Sequence, residues 1–196
     1  MFVDGENFTI RGQKVATAEK VTFDDGPYFK RDVFLWLPLI RARTNITQGD
    51  WAVPLQATAI RSYYYTSTPG NDDAIQQVRS NLRALDFDAT VFKRPSDGGR
   101  KSKGVDISLT TDMLSGAFMD TYDVAFLIAG DADYLPLVQQ VKRLGKCVFG
   151  GFFEHPEAGL SEELRIATDT FYDFWPFMRD QWGRARNNAV PPGNKS

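Results

Sequence analysis

Cysteine and histidine are almost absent from this chain of 196 residues, which has one of each, Cys147 and His155. A single cysteine excludes a disulfide framework and favours a reducing compartment. Cys147 lies in the apolar run GKCVFGGFF, which predicts a buried thiol that packs as a small hydrophobic group. His155 stands beside Pro156 and is expected to be a loop residue rather than a metal ligand. Carboxylates are therefore the side chains available for catalysis.

The chain also lacks a strong net charge and long apolar runs. Its 23 Lys and Arg residues nearly balance 25 Asp and Glu residues, giving a formal net charge of -2, so any basic surface must be local. No apolar run reaches the roughly 18 residues of a membrane-spanning helix. No basic leader with an apolar run precedes the starting MFVDGENF. We therefore expect a soluble, cytoplasmic protein.

From about residue 58 onward, the sequence patterns alternate between strands and helices. The predicted strands are 57–67, 88–93, 122–130 and 146–152, and the predicted helices are 71–85, 103–118 and 134–146. Such alternation favours an α/β fold with a parallel sheet and helices on both faces. The opening MFVD is short, but it can form the central first strand.

The predicted domain organisation is one domain, residues 1–182, with a mobile tail at 183–196. The tail GRARNNAVPPGNKS is polar and rich in Pro and Gly, with no apolar face to bury. An irregular insertion is predicted around 13–57. Within it, YFKRDVFLWLPLIRA could be a strand or a helix, and RTNITQGDWAVPLQ is typical of a loop or a hairpin.

Four acids follow or begin predicted elements in a way that could bring them together. Asp4 follows the first strand, Asp131 and Asp133 follow the strand 122–130, and Asp106 lies in the first turn of a helix. Ligands of open parallel sheets bind beyond the carboxyl ends of the strands. Four neighbouring carboxylates repel one another unless a cation is present, and oxygen-only sites suit Mg²⁺ or Mn²⁺. The pattern predicts a divalent-metal site.

Each acid also has a simpler interpretation. Asp133 could cap the following helix, Asp4 could belong to an ordinary turn, and Asp106 could be a charge favoured by the helix dipole. Taken together, the simpler interpretations are less convincing, because three independent coincidences would be needed to place acids at the same edge of one sheet. Asp112 is a secondary candidate, since it lies about 240° around the helix from Asp106.

A basic loop leads into the helix that carries Asp106. The run FKRPSDGGRKSKG (92–104) has one acid and five cations: Lys93, Arg94, Arg100, Lys101 and Lys103. A flexible cationic loop beside an acidic metal site suits a substrate whose phosphates it can track. The alternative is a solvated surface loop. For the run SYYY (62–65), the alternatives are base stacking and core packing with anchored hydroxyls, of which core packing is favoured.

Three segments resemble the NYN domain, especially its LabA-like bacterial branch, within the PIN-like nuclease superfamily. They are FVDGENF, KGVDISLTTDMLSGAF and YDVAFLIAGDADYLPLVQQVKRLGKCVFG. The resemblance spans about residues 2–8 and 58–175, and its most specific part is the pairing of K-x-V-D with G-D-x-D. It implies a PIN-like three-layer α/β/α sandwich with a mainly parallel sheet. It also implies a metal-dependent endoribonuclease acting on RNA, which we expect to be single-stranded.

The resemblance assigns roles to particular residues. It implies that Asp4, Asp106, Asp131 and Asp133 form the acidic site that binds Mg²⁺ or Mn²⁺ and carries catalysis. Substrate binding is expected of Asn7, Lys103, Lys101, Arg100 and Arg94, of which Asn7 and Lys103 follow from the resemblance. The family often has Ser between the last two acids, and Ala132 here removes a hydroxyl but no ligand.

Two other functions remain open. A regulatory RNA- or protein-binding module, acting as a homo-oligomer or with a regulatory protein partner, would keep the fold without turnover. A phosphatase with a nucleophilic Asp would need a second Asp two residues after the first. Glu6 occupies that position, which disfavours the phosphatase.

Overall fold

A computed structural model describes residues 1–38, 61–94 and 103–180, with the side chain of Lys103 excluded. The strands are β1 (Phe2–Asp4), β2 (Phe29–Lys30), β3 (Phe34–Leu35), β4 (Tyr63–Pro69), β5 (Asp88–Arg94), β6 (Val124–Ile128), β7 (Cys147–Phe152) and β8 (Thr170–Asp173). The helices used below are α1 (Gly5–Ala18), α2 (Asp72–Arg83), α3 (Lys103–Phe118), α4 (Leu135–Arg143) and α5 (Glu162–Ala167).

Six strands form the central sheet in the order β5-β4-β1-β6-β7-β8, and every neighbouring pair is parallel. The chain moves outward from β1 to β4 and β5, then returns to β6 on the other side of β1. Val3 of β1 lies opposite Ile128 of β6. The strand order therefore reverses between β1 and β6, and their carboxyl ends flank the crevice where ligands bind in such sheets.

Two hydrophobic cores cover the two faces of this sheet. In β1, Phe2 packs into one core and Val3 into the other, as the alternation of strand side chains requires. Helices α1 and α2 contribute to the core around Val3, whereas α3, α4 and α5 contribute to the core around Phe2. The result is an α/β/α sandwich, which confirms the predicted PIN-like fold class.

The helices begin close to where the sequence predicts. Helix α3 has the predicted bounds, and α2 begins after Asn71, whose side chain accepts a hydrogen bond from the Ala74 N–H at 3.1 Å. Helix α4 begins later than predicted, because a 3-10 helix at Ala132–Tyr134 comes first. That short turn decides which side chain faces the sheet edge.

The predicted irregular insertion begins with regular structure. Helix α1 continues to Ala18, and β2 pairs with β3 as an antiparallel hairpin. Phe34 and Leu35 of that hairpin are fully buried. The run YFKRDVFLWLPLIRA therefore starts as a hairpin, whereas RTNITQGDWAVPLQ and the predicted tail at 183–196 lie outside the described residues.

The prediction of a buried Cys147 is wrong. Cys147 is the first residue of β7 and is exposed, opposite Val124 at the start of β6, which is 40% exposed. An apolar run is buried in its middle but reaches solvent where the strand begins. His155 is a loop residue whose Nε2 lies 3.0 Å from Glu19 Oε1.

Tyr64 and Tyr65 are core residues, as the favoured interpretation of SYYY predicts. The Tyr64 hydroxyl donates to the Leu35 carbonyl at 2.9 Å and accepts from the Leu35 N–H at 3.1 Å. Burial raises the pKa of Tyr64, so the hydroxyl stays neutral. Within the described parts of the chain, no helix has the length and apolar character needed to cross a bilayer.

Candidate metal and nucleic-acid site

Asp4 is the last residue of β1 and the N-cap of α1. Its side chain is 1% exposed, and Oδ1 accepts a hydrogen bond from the Asn7 N–H at 2.9 Å. A Cβ on Gly5 would lie 1.9 Å from Tyr64 Cε1, so the turn after Asp4 requires a residue without a side chain. Asp4 is therefore the N-cap of α1 rather than part of an ordinary turn, and this capping bond engages one of its two carboxylate oxygens.

Tyr134 joins Asp4 to Asp106. Its hydroxyl oxygen lies 3.0 Å from Asp4 Oδ2 and 3.1 Å from Asp106 Oδ1, and the side chain is 2% exposed. A hydroxyl has one proton, so the two carboxylates share one donor. Burial raises the pKa of Tyr134, and the negative charges of Asp4 and Asp106 raise it further. A neutral donor is therefore held between acids from β1 and α3.

Asn7 connects α1 to the end of β6. It is 2% exposed, and its Oδ1 accepts from the Gly130 N–H at 3.2 Å. This donor fixes the amide orientation, and Nδ2 then donates no hydrogen bond to any residue in the described ranges. A buried amide donor without an acceptor is costly. The position therefore suits a water or a substrate oxygen.

Asp131 and Asp133 differ from the other two acids. Asp131 is half-buried and caps the 3-10 helix, where its Oδ1 accepts from the Asp133 N–H at 3.3 Å. Asp133 is exposed, and its carboxylate accepts no hydrogen bond from the described part of the chain. The turn therefore directs Tyr134, and not Asp133, toward Asp4.

The assignment of Asp4, Asp106, Asp131 and Asp133 to one metal site stays a prediction. Among residues 1–38, 61–94 and 103–180, no group of three or more His, Cys, Asp or Glu side chains could hold a metal. The hydrogen bonds of Tyr134 bring two of the four together. Two carboxylates still fit Mg²⁺ or Mn²⁺, because these ions are commonly held by one or two carboxylates and several waters.

Asp112, the secondary candidate, has a different partner. It is exposed on α3, and its Oδ2 accepts from the hydroxyl of buried Tyr65 at 2.9 Å. Burial raises the pKa of Tyr65, and the hydrogen bond to Asp112 raises it further. Asp112 is thus linked to β4, whereas Asp106 is linked to Asp4.

Arg94 lies in a network within the protein. Its Nε donates to Ser67 Oγ at 2.9 Å, and Nη2 donates to the carbonyls of Ser67 at 2.9 Å and Asp32 at 2.6 Å. Nε also lies 3.8 Å from Oε1 of Glu6, a carboxylate that is 3% exposed. Substrate binding by Arg94 remains a prediction. Arg100, Lys101 and the Lys103 side chain lie outside the described residues.

Sequence reasoning did not identify two residues at this edge of the sheet, Tyr134 and Glu6. Tyr134 directly follows G-D-A-D, so its place in the motif was the available signal. Glu6 has no such signal, because its burial depends on Ser67 and Arg94 from distant strands.

The comparisons with known proteins agree with this architecture. A profile of the NYN domain matches residues 1–175. No curated protein shows significant similarity to the chain. The crystal structure of a protein of unknown function from Vibrio parahaemolyticus is similar, with a TM-score of 0.55 and 21% identity over 89% of this chain and 91% of that one. That likeness supports the fold alone. The profile match shows that this chain belongs to the NYN domain family, which is nuclease-like and part of the PIN-like superfamily.

Proposed function

We propose that this protein is a metal-dependent endoribonuclease that hydrolyses phosphodiester bonds in single-stranded RNA. The observation that carries the proposal is the pair of carboxylates, Asp4 and Asp106, held by Tyr134 at the carboxyl end of the central strand. Membership of a nuclease-like family supports it. The LabA-like branch and a cytoplasmic location are parts of the proposal that rest on the sequence.

Asp4 and Asp106 would hold Mg²⁺ or Mn²⁺ in this site. The chemistry that such an ion supplies is activation of water and neutralisation of phosphate charge. Asp131 is proposed as a further carboxylate at the edge of the pair, where it orients water for in-line attack. Asp133 is proposed as a further metal ligand on the basis of the G-D-x-D motif, although its side chain is exposed.

The protein's own donors would bind the RNA backbone. Asn7 Nδ2, which is buried and donates to no described residue, suits a phosphate oxygen. Lys103, Lys101 and Arg100 are proposed to contact neighbouring phosphates, because the sequence places them just before the helix that carries Asp106. Arg94 is better supported as an anchor of β5 to β4.

RNA cleavage tests the proposal directly. Purified protein is incubated with end-labelled, mixed-sequence single-stranded RNA in Mn²⁺, Mg²⁺ or EDTA, beside the Asp4→Asn variant. Asparagine retains an oxygen that can cap α1, so the variant should fold. We expect internal cuts with Mn²⁺ or Mg²⁺ that disappear in EDTA and in Asp4→Asn. Equal cleavage by the variant would refute the assignment of Asp4.

A regulatory RNA- or protein-binding module is the second candidate. The observation that favours it is the absence of a three-acid cluster within the described ranges. RNA retention in an electrophoretic assay, without cleavage and without an effect of Mn²⁺, would favour this module over the nuclease.

A further inference from the structure

Tyr134 contacts both acids of the proposed metal site through one atom. We infer that Tyr134 is a positioning residue, whose hydroxyl fixes the orientation of the Asp4 and Asp106 carboxylates so that both face one cation. This inference rests on the proposed function, because it assumes that the pair binds a divalent metal.

The hydrogen bonds show which carboxylate oxygens of Asp4 and Asp106 are engaged within the protein. Asp4 Oδ1 is held by the Asn7 N–H, and Asp4 Oδ2 faces the Tyr134 hydroxyl. Asp106 uses Oδ1 for Tyr134, and its Oδ2 accepts no hydrogen bond from the described parts of the chain. Asp106 Oδ2 is therefore the oxygen presented to a cation. Without the hydroxyl, the Asp106 carboxylate would lose its one hydrogen bond to a described residue.

The ring of Tyr134 is rigidly placed. It belongs to the core that contains Leu137 and Val138 of α4, and its backbone N–H donates to the Asp131 carbonyl at 3.2 Å. The hydroxyl thus occupies a fixed point between two carboxylates that repel each other. A neutral donor at this point orients both carboxylates without neutralising either one. Such outer partners typically change metal affinity by about 10- to 100-fold when removed.

Mn²⁺ binding without RNA tests the inference. The wild-type protein and Tyr134→Phe are titrated calorimetrically with MnCl₂, and cooperative unfolding in EDTA verifies that each protein is folded. We expect the dissociation constant for Mn²⁺ to rise about 10- to 100-fold in Tyr134→Phe. Unchanged affinity would overturn the inference, and so would a wild-type protein that does not bind Mn²⁺.

Tyr65→Phe is the matched control. Tyr65 is also buried and also donates to an aspartate of α3, but that aspartate is Asp112. We expect its Mn²⁺ affinity to equal that of the wild type. An equal loss in both variants would overturn the inference, because the effect would then not depend on the Asp4–Asp106 pair.

A crystal structure of the wild-type protein with Mn²⁺ provides a test that does not depend on the folding of a variant. The inference predicts Tyr134 Oη within hydrogen-bond distance of Asp4 and Asp106, with Mn²⁺ bound by both carboxylates. A hydroxyl turned away from both acids would overturn it. Mn²⁺ binding of this kind without RNA cleavage would refute the proposed function while leaving the inference intact.

Discussion

At the scale of single residues, two acidic arrangements at the sheet edge differ in the side chains that contact them. Glu6 has a guanidinium within 3.8 Å and a hydrogen bond from Ser67 Oγ at 2.8 Å. Asp4 and Asp106 both contact the neutral hydroxyl of Tyr134. Buried charge is costly without a partner. The guanidinium beside Glu6 therefore fits a structural role, whereas Asp4 and Asp106 form the proposed cation site.

Replacing Arg94 tests the structural role of the first arrangement. Arg94→Gln removes hydrogen bonds to Ser67 and Asp32 and leaves Glu6 buried without its cation. We expect the free energy of unfolding to fall by about 2 to 3 kcal/mol, measured by urea denaturation. The control Lys93→Gln, exposed on the same strand, should change it by less than about 0.5 kcal/mol. Unchanged stability together with weaker RNA binding would instead assign Arg94 to the substrate.

The individual site residues show what sequence can reveal. The positions of Asp4 at the end of a strand and of Asp106 in the first turn of a helix could be predicted from their sequence neighbours. Tyr134 could not be assigned its role, because that role depends on a 3-10 turn that displaces Asp133 toward solvent. Arg94 was predicted to bind substrate because the sequence does not reveal its hydrogen bond to the Asp32 carbonyl, which is distant along the chain.

At the scale of elements, the junction between β1 and α1 contains three polar side chains close together in sequence. Asp4, Glu6 and Asn7 are all buried, because β4 and the end of β6 approach this first turn from different sides. Helical periodicity could predict the bounds of α3. It could not predict this burial, which depends on neighbouring strands and not on local pattern.

Gly5→Ala tests the close packing of this junction. The new Cβ would overlap the ring of Tyr64, so either the ring or the turn carrying Asp4 must move. We expect the free energy of unfolding to fall by about 1 to 3 kcal/mol in urea denaturation. Gly26→Ala is the control, because its nearest contact would be 3.8 Å away. Equal stability of the two variants would show that the turn is not tightly packed.

At the scale of the whole molecule, the sheet order places the candidate site at the reversal between β1 and β6. Several tyrosines pack in the two cores. Burial raises the pKa of Tyr64, Tyr65 and Tyr134, and it raises the pKa of Tyr122 to about 12. In the unfolded chain these hydroxyls would titrate near their ordinary pKa of 10.0. The folded state therefore favours their neutral form.

This difference predicts alkaline unfolding. Below pH 10 the stabilisation from neutral tyrosines is complete, and it is lost as the pH rises toward the raised pKa values of the folded state. For fully buried Tyr64, the loss is up to about 1.4 kcal/mol per pH unit. Urea denaturation at pH 9, 10 and 11 measures the slope, which Tyr64→Phe should reduce. A free energy of unfolding that is constant from pH 9 to 11 would contradict the prediction.

The most direct test of the central claim compares two aspartates of α3. Asp106 and Asp112 each accept a hydrogen bond from a buried tyrosine, but only the tyrosine at Asp106 also contacts Asp4. The measurement is the single-turnover rate of RNA cleavage in Mn²⁺ for the wild type, Asp106→Asn and Asp112→Asn. Our account predicts that Asp106→Asn abolishes cleavage and that Asp112→Asn retains the wild-type rate. Cleavage retained in Asp106→Asn, or no Mn²⁺-dependent cleavage by the wild type, would contradict it.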